Sequence, residues 1–278
     1  MSKIIYQPKG AASEYAKWAA NFYNGCSGRC TYCYNRTGIT AKVLGGDKPT
    51  LKRCLNSPLD ALIIFEKELE ANLAELQKHG IFFNFVSDPC LRETWDLNSS
   101  AIYSCLKYDV PAILLTKQVW WVPEFIHEVT SAGTWMNKKV WEVKRLVALG
   151  FTLTGHDELE PGCAANEDRI WAMRLLHDEG FKTWASIEPI IDIDASGDMI
   201  GAASECCDLM KIGLQSGKHY DKEELCGLMR HVISLADASQ FKIYFKDSIL
   251  KASGMTRYPL GNNEVDRDYN MFTEEGSK

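Results

Sequence analysis

Three cysteines, Cys26, Cys30 and Cys33, stand within eight residues of the run Gly25-Cys26-Ser27-Gly28-Arg29-Cys30-Thr31-Tyr32-Cys33-Tyr34. Three thiolates this close can bind one metal centre. On a [4Fe–4S] cube they ligate three irons and leave the fourth without a protein donor. An open coordination position separates a reactive metal centre from a structural one, as the contrast between catalytic and structural zinc sites shows. Competing chemistries explain the pattern less well. A structural zinc site uses Cys-x2-Cys but needs four ligands, usually as two separated pairs. No second pair is present: Cys206 and Cys207 are adjacent, while Cys54 and His79 stand alone. A dithiol redox pair of Cys30 and Cys33 leaves Cys26 without a role. A disulfide scaffold suits short secreted chains, which this is not.

The elements that must position this loop can be read from the apolar pattern. At 278 residues the chain has the length of one α/β barrel. Apolar runs rich in β-formers recur at 81–86, 112–115, 151–154, 182–187, 209–213 and 241–245, and Ala19 to Tyr23 reads as a first strand feeding the cysteine loop. Between them lie helices. Residues 60–78 keep Leu62, Ile63, Phe65, Leu69, Leu73 and Leu76 on one face. Asn166 is placed to cap a second helix opening with Glu167 and Asp168 and stopped by Gly180. A third spans Lys222 to Ala236. Alternating strands and helices imply a parallel sheet with right-handed crossovers. Six or seven such units predict a partial (β/α)6-type barrel, a single domain over residues 1–261 followed by a polar tail over 262–278.

In parallel α/β folds ligands sit beyond the carboxyl ends of the strands, and unusual polar residues gather there in this sequence. Ser87-Asp88-Pro89-Cys90 follows the second strand and Thr116-Lys117 the third. Thr154-Gly155-His156-Asp157 follows the fourth, Ser186 and Glu188 end the fifth, and Lys211 lies inside the sixth with Gln215 beyond it. Individually each has a plain explanation, such as Ser87 and Asp88 capping a turn before Pro89; their shared rim makes the joint case. Gly45-Gly46-Asp47 reads as an ordinary turn. Trp120, Trp121, Trp135 and Trp141 crowd one stretch; such rings can stack on a base, but core packing is the reading for most of them.

The cysteine loop with Tyr32 before its last cysteine resembles that of the radical S-adenosylmethionine (SAM) enzymes, and Asn24 to Tyr34 as a whole resembles the spore photoproduct lyase and DNA repair photolyase-like branch. Ser87-Asp88-Pro89, Leu115-Thr116-Lys117, Leu159-Glu160-Pro161-Gly162 with Arg169, Ser186 to Ile190, and Asp208 to Gly213 follow in that family's order. The resemblance covers about Phe22 to Leu250. It implies that Cys26, Cys30 and Cys33 hold a [4Fe–4S] cluster whose free iron chelates SAM, and that one electron then yields methionine and a 5′-deoxyadenosyl radical. It also implies that Tyr32 and Tyr34 lie along SAM and that Ser87, Asp88 and Lys117 touch its methionine or ribose portion, with Thr154 and Glu188 as further contacts. The sequence departs from the lyase at the cysteine that returns a hydrogen atom to the substrate: Phe85 and Val86 stand before Ser87, and Cys90 is the nearest substitute, with an inert buried thiol as its plainer reading. A flavodoxin or ferredoxin is implied as reductant, and DNA as a substrate class by analogy alone.

Bulk composition bounds these readings. The net charge is −6, from 31 Lys and Arg against 37 Asp and Glu, which weighs against a general nucleic-acid binder. Lys138, Lys139, Lys144 and Arg145 form a basic cluster best read as a solvated helix face. The start of the chain lacks a secretory pattern, and no apolar run approaches the ~20 residues of a membrane span; a monomeric cytoplasmic protein is expected. The competing function is a non-catalytic, metal-stabilised module that binds nucleic acid or protein.

Overall fold

The computed structural model describes residues 4–131, 134–135, 138–257 and 261–273; the side chain of Trp135 and the last five residues of the polar tail lie outside the described residues. Two compact units emerge: Met1–Ala148 with Leu159–Cys163 and Phe272–Lys278, and Leu149–Glu158 with Ala164–Met271. The pentapeptide Leu159–Cys163 thus leaves its sequence neighbours to join the first unit.

In the first unit, β1 (Ile5–Tyr6) pairs antiparallel with β2 (Ala19–Ala20), which runs parallel to β3 (Ile81–Phe83). β3 in turn runs parallel to β4 (Ala112–Thr116), with Ile81, Phe82 and Phe83 opposite Ala112, Ile113 and Leu114. The strand expected over 19–23 is split. Asn21 leaves the ladder so that its Oδ1 can accept from Phe85 N at 2.8 Å and its amide can donate to the Tyr6 hydroxyl, and Tyr23–Asn24 then pairs with Thr50–Leu51 instead. The strand expected over 81–86 ends at Phe83.

The first-unit helices are α1 (Gly38–Val43), α2 (Pro58–Ala71), α3 (Leu73–His79), α4 (Trp95–Lys107), α5 (Val122–Ser131) and the short α6 (Val140–Arg145). Ser57 caps α2, its Oγ accepting from Asp60 N at 3.1 Å, with Pro58 in the first turn where its missing N–H costs nothing. The single helix expected over 60–78 is two. Asn72 takes a non-helical backbone (φ −120°, ψ 17°) and its side chain donates to Glu68 O at 2.7 Å, a local bond that competes with helix propagation. Ala61, Phe65 and Leu69 form the buried stripe of α2, at i, i+4 and i+8. Phe65 meets Phe22 and Phe83 at centroid distances of 5.5 and 6.1 Å, closing the core beneath the cysteine loop. Trp121 is fully buried, as expected, whereas Trp141 is 52% exposed with Arg145 over its ring.

The second unit takes up β5 (Val147–Thr152) from Leu149 onward and adds β6 (Lys182–Ile190), β7 (Leu209–Leu214) and β8 (Lys242–Phe245), the last three mutually parallel. Helices α7 (Asn166–Asp178), α8 (Ile193–Ala203) and α9 (Lys222–Ser239) connect them in the expected β-α-β alternation, and α10 (Asp247–Ser253) follows β8. Gly150 permits a close approach: a Cβ there would stand 2.2 Å from the buried Trp184 ring. Asn166 is the first residue of α7 rather than its cap, and Ala165 holds the cap position. The Asn166 side chain instead bridges Asp157 and Thr154 N. β5 begins four residues before the expected 151, and β6 runs to Ile190, so Glu188 lies inside the strand rather than at its end.

Candidate metal and cofactor site

The cysteine loop is seated by the glycine turn that follows it. Gly25 N donates to Leu44 O at 2.8 Å and Cys26 N to Gly46 O at 3.0 Å. The fit leaves no room for side chains: a Cβ on Gly25 (φ +78°) would stand 2.4 Å from Lys48 O, and one on Gly45 2.3 Å from Ala41 O. What reads in sequence as an ordinary turn is the cradle of the first cysteine. Cys33 lies at the start of the 3-10 turn Tyr34–Arg36, with its N–H donating to Cys30 O at 3.3 Å.

The strap Leu159–Cys163 lies on the other side of the loop. Thr31 N donates to Leu159 O at 2.9 Å, Gly162 N to Gly28 O at 3.1 Å, and Gln118 Nε2 to Gly162 O at 2.9 Å. It delivers a fourth cysteine that the sequence reading passed over. Cys163 Sγ is 3.8 Å from Cys30 Sγ and 3.7 Å from Gly28 O. The available signal was its place directly after Leu159-Glu160-Pro161-Gly162, a segment already tied to the loop by resemblance; no local spacing marks it. The strap also delivers Glu160, buried at 2% exposure, whose Oε1 accepts from the Tyr32 hydroxyl and lies 4.0 Å from Lys117 Nζ.

These neighbours set the electrostatics. Burial, reinforced by the Asp88 carboxylate, pushes the Cys26 thiol up to about 11. The Cys163 hydrogen bond outweighs burial at Cys30, lowering it to about 6 with help from Lys117, while Cys163 itself is raised. Burial also raises Cys33 and Tyr32. Burial works against the charge of Lys117, but Tyr32, Cys30 and Glu160 outweigh it and hold the ammonium well above its ordinary value. A fixed cation beside the loop favours the thiolate form that a metal requires.

Most of the expected cofactor residues gather in this unit. The Ser87 hydroxyl is buried without a hydrogen-bond partner. Both Asp88 oxygens are engaged: Oδ1 accepts from Thr116 Oγ1 at 2.6 Å and Cys90 N at 2.9 Å, and Oδ2 from Lys117 N at 2.8 Å. Asp88 therefore ties the end of β4 to the turn after β3 and orients Lys117. The Tyr32 ring lies 5.8 Å from Lys117 Nζ, and the Tyr34 ring is 56% exposed while its hydroxyl donates to Phe85 O. Cys90 is fully buried, and burial raises its thiol well above the ordinary range.

Thr154 and Glu188 belong to the second unit. Thr154 is fully buried, its N–H donating to Asn166 Oδ1 at 2.9 Å. Glu188 accepts from Lys246 Nζ with both oxygens, at 2.8 and 2.7 Å, above Gly213, where a Cβ would stand 2.9 Å from Glu188 Oε1. Lys211 lies 6.0 Å from the Trp184 ring and 5.5 Å from that of Tyr244. Arg169, fully buried, donates to Ala164 O through Nε and Nη2 and to Thr152 O through Nη1, which fixes the start of α7 against β5.

The donor set fits an iron–sulfur cluster. It is all sulfur, the ligand type that selects zinc or Fe–S centres. Among the described residues no three His, Cys, Asp or Glu groups converge on a single ion. The unpartnered Ser87 hydroxyl and the held Lys117 ammonium offer what a ribose and a carboxylate require.

No family model matches the sequence, and no curated protein matches it. Among solved structures, the chain is similar to a single-residue mutant of spore photoproduct lyase at a TM-score of 0.61 and 13% identity, covering 87% of this chain and 79% of that one. A double mutant of the same enzyme, with AdoMet and dinucleoside spore photoproduct bound, matches at 0.53 and 16% over 81% of this chain and 62% of that one. Streptococcus suis SuiB bound to S-adenosylmethionine matches at 0.51 and 13% over 85% and 51%. The chain spans less than two thirds of the latter two. At such identities the likeness is one of architecture, and the mixed α/β, mostly parallel arrangement is the partial-barrel fold of the radical SAM enzymes.

Proposed function

We propose that this chain is a radical SAM enzyme in which Cys26, Cys30 and Cys33 hold a [4Fe–4S] cluster and SAM binds beside them. The observation that carries this reading is the cysteine loop itself, three thiols in eight residues seated by glycine backbone with the held ammonium of Lys117 beside Cys30; Ser87 adds a buried hydroxyl without a hydrogen-bond partner in the same unit. When bound, the cluster supplies the electron that splits SAM into methionine and a 5′-deoxyadenosyl radical, which takes a hydrogen atom from the substrate. The chain's own residues bind and orient. Lys117, aimed by Asp88 and Glu160, faces the carboxylate of the methionine portion. Ser87 donates to a cofactor oxygen, and Tyr32, anchored on Glu160, and Tyr34 supply flat surfaces along the adenosine. Thr154 and Glu188 complete the assignment of cofactor contacts, and Cys90 is the weaker candidate for hydrogen return.

Residues 1–261 form one catalytic domain in this reading, with 262–278 as a tail. A nucleic-acid lesion is the substrate class to test first, because the lyase whose fold is shared has been captured with a dinucleoside lesion. The reductant is a flavodoxin- or ferredoxin-type carrier, and the protein works as a cytoplasmic monomer. No helix among the described residues is long and apolar enough to cross a membrane.

Anaerobic reconstitution tests the core of the proposal. The expected product is a brown protein with about four irons per chain that forms 5′-deoxyadenosine from SAM after reduction. Stoichiometric zinc without visible absorbance, or SAM binding without 5′-deoxyadenosine, refutes it and favours a metal-stabilised binding module.

A further inference from the structure

From the cysteine loop onward to Arg53 the charge of the chain reverses. Residues 29–53 hold six Lys and Arg against one acid, whereas the rest of the chain holds 25 against 36. The one acid, Asp47, is taken up by Arg36 at 2.9 Å. Inside this stretch α1 contains no buried residue. A helix of six residues does not persist in water on its own propensity, and α1 is held at its two ends. Just before it, Arg36 N donates to Cys33 O at 3.0 Å; just beyond it, Leu44 O and Gly46 O accept from Gly25 N and Cys26 N. Ile39 is 82% exposed and Val43 65%. One turn apart, they share a face, with Lys42 beside them. Arg29, Arg36, Lys48 and Arg53 of the same stretch are exposed as well. A merely solvated face needs its cations but gains nothing by presenting two branched aliphatics on one short helix.

We propose that α1 and the cations flanking it in sequence form the docking surface for the protein that delivers the electron, a one-electron carrier with an acidic face. The inference rests on the cluster reading above. Charge selects the partner: a local surplus of five positive charges on an otherwise acidic chain steers an acidic protein to this stretch and away from the remainder. The two aliphatics select its class. Protein interfaces have an apolar centre and a polar rim, whereas a nucleic-acid backbone takes cations and hydrogen-bond donors and leaves Ile39 and Val43 without a role. Size agrees, since electron-transfer encounters are among the smallest specific interfaces. Position makes the contact useful: the α1 segment is hydrogen-bonded at its ends to the backbone of Gly25, Cys26 and Cys33, so a carrier seated on Ile39 and Val43 stands next to the loop. The carrier gives up one electron and is oxidised by one; the electron goes to the centre that the loop holds, and no atom is transferred with it.

The test uses the reconstituted full-length protein with two probes, a purified flavodoxin and a plant-type ferredoxin, each reduced by NADPH and its reductase. Formation of 5′-deoxyadenosine gives the rate, and carbodiimide cross-linking of carrier carboxylates to lysines, mapped by mass spectrometry, gives the contact. Ile39→Ser with Val43→Ser removes the apolar centre, and Lys42→Glu with Lys48→Glu reverses the charge; α1 buries nothing that these changes would disturb. Lys67→Glu with Lys251→Glu makes the same change of charge at exposed positions elsewhere. Cross-links are expected at Lys42 and Lys48. The carrier-driven rate is expected to fall about tenfold in each surface variant and to hold in the control pair, while dithionite drives all four proteins equally. Cross-links and carrier-driven rates that survive both surface substitutions, or that fall equally in the control pair, overturn the proposal. So does a wild type that dithionite drives but neither carrier cross-links to or reduces. Loss of duplex DNA binding in Lys42→Glu with Lys48→Glu, read by fluorescence anisotropy with the carrier-driven rate intact, also overturns it and makes the stretch a nucleic-acid face. Wild type that forms no 5′-deoxyadenosine even with dithionite refutes the cluster reading instead, and the docking site with it.

Discussion

Substituting Gly162 by alanine tests whether the strap assembles the site. The new methyl would stand 2.2 Å from Ser27 O and 2.9 Å from both Gly28 Cα and Gly28 O, all backbone atoms that cannot rotate aside. The strap must therefore lift, which breaks Thr31 N–Leu159 O and Gly162 N–Gly28 O and loosens Glu160 from Tyr32. Two backbone bonds at about 0.5–1.5 kcal/mol each give a loss of about 1–3 kcal/mol. Gly197→Ala is the control: it lies inside α8 with no atom within 4 Å of the added Cβ, so it should gain up to about 1 kcal/mol from helix propensity. Urea unfolding of the metal-free protein measures both, and iron content after reconstitution reports the site. Gly162→Ala should lose stability and load less iron, while Gly197→Ala loads normally. A Gly162→Ala protein as stable and as iron-rich as wild type would refute the idea that close strap contact builds the centre.

Further outcomes can be stated from single contacts. Ser87→Ala removes an unpartnered buried hydroxyl, so metal-free stability should hold or rise slightly while SAM affinity falls roughly 3- to 10-fold, the worth of one hydrogen bond; equilibrium dialysis decides. Arg169→Lys cannot reproduce the three donations to Ala164 O and Thr152 O and should cost at least about 1.5 kcal/mol in urea unfolding, since one bond from a charged group is worth that much. His156 is held above its ordinary 6.5 because its bonds to Glu158 and Asp192 outweigh burial, which acts the other way. A raised histidine stabilises the fold below its unfolded value and loses that contribution as pH rises through its folded value. Stability measured upward from pH 6.5 should therefore fall in wild type and stay flatter in His156→Ala. Residues 29–53 carry Arg29, Arg36, Lys42, Lys48, Lys52 and Arg53 against one acid in the same stretch, Asp47, which pairs with Arg36, and the stretch also exposes Ile39 and Val43. Arg36→Glu with Lys42→Glu should slow salt-sensitive reduction by an acidic flavodoxin and leave dithionite reduction unchanged in stopped-flow traces.

Local information was enough to fix much of this protein. The cysteine spacing, the strand–helix alternation and the polar residues after each strand all act over a few residues, where covalent geometry and backbone propensity dominate, and α9 and the chain-length choice of a barrel-like fold followed from them. Element ends were less legible. Asn21, Asn72 and Asn166 each moved a boundary because an amide side chain found a backbone or hydroxyl partner, a competition that hydrophobic periodicity does not register. The role of Asp88 was likewise hidden, since Thr116 and Lys117 reach it across 28 and 29 residues. Above all, only the tertiary structure set Cys163 against Cys30 across 133 residues. That contact depends on a glycine with no side chain, a pair of backbone hydrogen bonds and a strap that leaves its sequence neighbours for the other unit; its energy is stored in close backbone packing, which no spacing of residue types encodes.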